Sequence, residues 1–124
     1  MDCVIFSLSL RDESYIVPNT YGIPTLVEKM IYIGSSQNKK EILDYHFIRC
    51  FGKNKSNCWH SNLYKKISES GITKETFKEK VKVNILFENV SYENLFEVKR
   101  LTIKIFRTLG HPILSIKSNL PPTL

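Results

Sequence analysis

Residues 3 to 10, CVIFSLSL, put Phe6, Leu8 and Leu10 on one face of an extended segment and Ser7 and Ser9 on the other, the period of a half-buried strand. Two further segments read as strands: about Leu26 to Ile33, ended by Gly34, Ser35 and Ser36, and residues 81 to 87, VKVNILF. Helical signals fill most of the remaining chain, in the order β-β-α-α-β-α. With only three strands, helices must cover at least one face of a small mixed or antiparallel sheet, so the class is α+β.

Punctuation residues set the expected boundaries. Asn38 can cap a helix that runs to about Phe51, a second helix runs from near Trp59 to Ser70 before Gly71, and Ser91 starts the longest, which ends at Gly110 and Pro112. TKETFKEK reads equally as a helical turn or as a lead-in to the third strand. Residues 11 to 25 carry charges, Gly22 and two prolines, and predict a long loop. Tyr15, Asn19 and Tyr21 could there meet a partner or a base.

A chain of 124 residues is sized for a single domain, 1–124, with its own core. No apolar run approaches the roughly 20 residues that span a bilayer, and CVIFSLSL follows Asp2 instead of a cationic segment. The expectation is an intracellular, cytoplasmic protein with no membrane anchor. Cys3, Cys50 and Cys58 are odd in number and irregularly spaced, which suits reduced thiols better than a disulfide framework. The net charge of +6 gives a folded basic surface, most concentrated at GKNKSN and YKKISES, that attracts phosphate polyanions.

The motifs carry a resemblance. A strand holding VIF, a second holding IYIGSS before a helix, His46 on that helix, His60 opening the next and a late helical glutamate together resemble the GIY-YIG nuclease superfamily over nearly the whole chain. That resemblance implies a three-stranded antiparallel sheet flanked by helices, with a divalent metal on the glutamate and phosphodiester hydrolysis at the sheet surface. In its terms the function is a metal-dependent endonuclease acting on DNA with Mg²⁺ or Mn²⁺.

Each position also has a reading of its own. Alternation in MIYIG sends Ile31 and Ile33 to one face and Tyr32 to the other, where its phenol either contacts a water or scissile phosphate or is a satisfied core hydroxyl. Lys39, Ile42, His46 and Arg49 fall within about 80° of helical arc. The family's helix arginine corresponds to Ile42 here, so the cation that would stabilise phosphoryl charge must come from elsewhere. Arg49 is the preferred substitute, because its planar fork binds two oxygens, and Lys39 is the other. His46 lies either near the phosphate or in a buried hydrogen bond. Cys58 and His60 match no closed zinc set.

On the last helix, Tyr92, Leu95, Phe96, Val98, Leu101, Ile103, Ile105, Phe106 and Leu109 project as one broad apolar arc, with Glu97 roughly 40° past its edge. Glu97 is therefore the candidate metal ligand, in preference to Glu93, and its competing role is an ion pair with Arg100 or Lys104. Other departures from the family are Val4 and Phe6 in the first motif and Ser115 where an asparagine is expected. The substituted arginine keeps a second function in view: a binding protein that uses the same surface to recognise nucleic acid (DNA or RNA), a nucleotide or a protein partner, as an antagonist or sequestering factor.

Overall fold

The computed structural model describes residues 2–18, 21–52 and 61–114. In chain order its elements are β1 (Asp2–Pro18), β2 (Pro24–Ser36), α1 (Ile42–Phe51), α2 (Ser61–Glu69), α3 (Phe77–Lys80), β3 (Val81–Ser91) and α4 (Tyr92–Thr108). The class is α+β. Among the described residues the strands form an antiparallel sheet in the order β2-β1-β3.

β1 is the central strand, and both of its faces are covered. Phe6, Leu8 and Leu10 pack with Leu63, Ile67 and Phe77 beneath α1, α2 and α3. Ile5 and Ile33 pack on the opposite face with Ile103 of α4 and Ile113. Ser7 and Ser9 lie on the α4 side and are 0% and 1% exposed, which corrects the half-buried reading of this strand. The period of two was legible there, but hydroxyl side chains under α4 mimic a solvated face.

A bulge changes the second strand. Leu8 pairs with Tyr32, and Ser9 with Met30, so Ile31 is the extra residue. Ile31 consequently joins the core of Phe6, Leu8 and Tyr32 while Ile33 joins the core of α4, and the expected common face of Ile31 and Ile33 is corrected. The bulged backbone is tied down by residues that follow α4. Leu114 donates its N–H to the Ile31 carbonyl at 2.7 Å, and Met30 donates its N–H to His111 Nδ1 at 3.2 Å.

Residues 11 to 25 are not a long loop. After a second irregularity between Leu10 and Ser14, pairing of β1 with β2 resumes at Ser14–Glu28 and continues to Pro18–Pro24. The prolines sit at the end of this ladder, where a lost donor costs little, and Gly22 takes a positive φ of 77° beyond it. Pairing with β3 stops at Leu10–Val81, so the ribbon runs on as two strands, with Ile16 and Leu26 paired and exposed.

α1 starts later than expected. Glu41 stands at its N-cap without a side-chain bond, whereas Asn38 Oδ1 accepts the Lys40 N–H at 3.0 Å within the preceding turn. Lys39 is therefore in that turn and not on the helix. Ile42, His46 and Cys50, one turn apart, form the buried face. Gly71, with φ of 79°, follows α2, and TKETFKEK resolves into the short α3, whose Phe77 is fully buried.

α4 begins after Ser91 as expected, but its buried stripe is narrower than the broad arc. Leu95, Val98, Thr102, Ile103 and Phe106 face the sheet, whereas Tyr92, Phe96, Leu101 and Ile105 are exposed. None of the described helices is long and apolar enough to cross a membrane.

Candidate functional site

The IYIGSS segment ends in a half-open pocket of about 230 Å³, walled by Phe6 and Tyr32 of the sheet and by Ile42 and His46 of α1. Ser35 and Ser36 at the end of β2, Tyr45 of α1 and Lys99 of α4 complete its lining. Gly34 makes this wall possible. A Cβ there would come within 2.6 Å of Tyr32 Cε2 and 2.8 Å of Phe6 Cζ, so only glycine lets the two rings close over the strand.

Tyr32 is 3% exposed and belongs to the core, but its ring forms part of the pocket wall. His46 lies 5.6 Å from it, centroid to centroid, and 5.8 Å from Phe6. Its Nδ1 is 3.1 Å from the Tyr64 hydroxyl, and the Tyr45 ring meets it edge-on at 5.1 Å. His46 is thus the buried, hydrogen-bonded histidine of the two readings, and its ring also lines the pocket.

The two expected substitute cations lie elsewhere. Lys39 is exposed and forms an ion pair with Glu88 at 2.6 Å. Arg49 is also exposed and does not line the pocket, and its guanidinium carbon lies 5.7 Å from the ring centroid of Tyr45, which does. The shared face proposed for Lys39, Ile42, His46 and Arg49 is corrected to Ile42, His46 and Cys50, because Lys39 precedes the helix and Arg49 falls on its outer side. His60, Cys58 and Ser115 lie outside the described residues.

Glu97 does not face the pocket. It is exposed and accepts two hydrogen bonds from Arg100, one from Nε at 3.2 Å and one from Nη2. This pairing holds its carboxyl below, and the Arg100 guanidinium above, their ordinary pKa ranges. The α4 residue that does line the pocket is Lys99, two positions on and therefore about 200° around the helix. Lys99 was not singled out by sequence reasoning. Its signal was present: it stands within the stripe of Leu95, Val98, Thr102, Ile103 and Phe106, where a charge is out of place.

Lys99 is half-buried, and desolvation lowers its ammonium below the usual lysine pKa. Lys29, Lys39, Lys66, Lys78 and Lys82 each meet a carboxylate, whereas among the described residues none pairs with Lys99. The pocket is thus lined by a desolvated cation, two serines and the rings of Tyr32 and His46. Such a donor set suits an anion. Mg²⁺ and Mn²⁺ take carboxylate, carbonyl and water oxygens, and an ammonium lining the pocket does not suit them.

The chain matches no protein-family model, no curated protein and no solved structure.

Proposed function

We propose that this protein recognises a phosphate-bearing ligand, with Lys99 as the charge that receives the phosphate and the surface of β2 and α1 as its seat. On this reading the architecture is GIY-YIG-like, and the place where a nuclease of that family would hold a metal has become a binding pocket. The single observation that carries it is the half-buried Lys99 beside Tyr32 and His46, with no carboxylate partner among the described residues. A cation removed from water without a partner is costly, and an incoming anion offsets that cost. Ile42 in place of the family's arginine agrees with a site that binds without accelerating hydrolysis.

Isothermal titration of the purified protein with inorganic phosphate and pyrophosphate, beside a cleavage assay on plasmid and linear DNA with Mg²⁺ or Mn²⁺, tests this. The expected result is saturable anion binding that Lys99→Met abolishes, with the DNA left intact. Metal-dependent cleavage that survives Lys99→Met and is lost in Glu97→Gln would restore the nuclease reading and overturn this one.

A further inference from the structure

We infer that the phosphate belongs to a single-stranded nucleic acid, held at the pocket by Lys99 and on either side of it by bases stacked on exposed rings; this rests on the phosphate reading. Size supplies the first argument. A pocket of about 230 Å³ is smaller than the roughly 300–1,000 Å³ of sites that enclose a whole drug-sized ligand, so a phosphate enters while the rest of its molecule lies on the protein surface.

Exposed aromatic rings stand on the two helices, α1 and α4, that bring Tyr45 and Lys99 to the pocket. Tyr45 lines the pocket from α1 with 48% of its surface exposed. On α4, Tyr92 and Phe96 precede Lys99 by seven and three positions, which places all three within about 60° of helical arc. Tyr92 is 68% exposed and Phe96 49%, although neighbouring positions on that side of the helix, Leu95 and Ile103, pack against the sheet. Large rings held in water beside a cation are what unstacked bases need, because every base has a π-face and each stacked pair adds affinity without reading sequence.

Charge complementarity selects the same partner. The chain carries +6, and Arg49, poised over Tyr45, adds a second cation on the α1 side. A duplex keeps its bases stacked on one another and offers these rings nothing, and an acidic peptide would use the charge without the rings.

The test uses the full chain and fluorescence anisotropy with labelled 15-nucleotide oligo-dT and oligo-U, a duplex of equal length and a polyglutamate peptide. Inorganic phosphate is titrated in parallel by NMR. The expected outcome is single-stranded binding at least tenfold tighter than duplex or peptide, and a further loss of about tenfold or more in a Tyr92→Ala, Phe96→Ala double variant. Both residues are exposed, so that variant keeps the wild-type melting temperature, and its phosphate titration is unchanged. Equal affinity for duplex or polyglutamate, or an unaltered double variant, overturns the inference while leaving the phosphate pocket in place. Absence of any phosphate response together with absence of oligonucleotide binding overturns both.

Discussion

Glu97 and Lys99 stand two residues apart on α4 and on opposite sides of it: the carboxylate is paired with Arg100 in solvent, and the ammonium lines the pocket of Tyr32 and His46. A helix cannot direct both into one volume, so the charge of the site is set by which of them faces inward.

The substitution pair Lys99→Met and Glu97→Gln separates the two. A half-buried lysine without a carboxylate is a stability cost that methionine removes, so Lys99→Met is expected to raise the melting temperature by roughly 3–6 °C, equivalent to about 1 kcal/mol, while abolishing phosphate binding. Glu97→Gln breaks an exposed ion pair and should leave both melting and binding unchanged. Calorimetric melting alongside phosphate titration reads both effects.

Binding of a phosphate monoester should depend on pH in a bell shape, whereas the diester phosphates of an oligonucleotide keep one charge and should show only the descending limb. The monoester gains its second charge as pH rises through about 6, which strengthens the pairing with Lys99. At higher pH, affinity falls as the ammonium deprotonates, and desolvation brings that fall below the ordinary lysine range. Titrations at closely spaced pH values are expected to show the descending limb below lysine's usual titration near 10.4.

Gly34→Ala probes the wall of the pocket. The added methyl would meet rings of Tyr32 and Phe6 that are themselves buried, so they cannot swing aside freely. A destabilisation of about 1–3 kcal/mol is expected from such overpacking, with phosphate affinity reduced because the displaced rings fill the cavity. Denaturant melts of the variant measure the first, and titration the second.

His111 should make stability fall in mild acid. It accepts the Met30 N–H through Nδ1, packs on Phe106 and is buried, and desolvation lowers its pKa below 6.5. A depressed histidine leaves the unfolded chain binding more protons, so its contribution is present above about pH 6.5 and is lost as pH falls from there toward the folded-state value. Wild-type stability measured from pH 7.5 to 5 should therefore drop, and His111→Gln should flatten that drop.

The sequence order of the three strands, the strand in IYIGSS and the start of the helix after Ser91 were legible because alternation and helix-start signals are local. Faces were less so. The Ile31 bulge reverses side-chain direction within β2 and is decided by pairing with β1 and by the contacts of His111 and Leu114, all distant in sequence. Residues 11 to 25 carried charges, Gly22 and two prolines, yet residues 14–18 and 24–28 pair across the two strands. Tyr32 and His46, which the motif singled out, line one pocket. Lys99 was missed because the exposed Tyr92, Phe96, Leu101 and Ile105 widened the apparent apolar arc and hid the narrower stripe in which it sits.

The most direct measurement is the titration of the Lys99 side chain itself, followed by the NMR shift of its ε-methylene group, assigned by its loss in Lys99→Met, with and without inorganic phosphate. Lys99 is predicted to titrate below the other lysines in the free protein and to move up when phosphate is added, since a bound anion stabilises the ammonium. A Lys99 signal that titrates with the rest, or that phosphate does not move, would contradict a phosphate seat at this pocket.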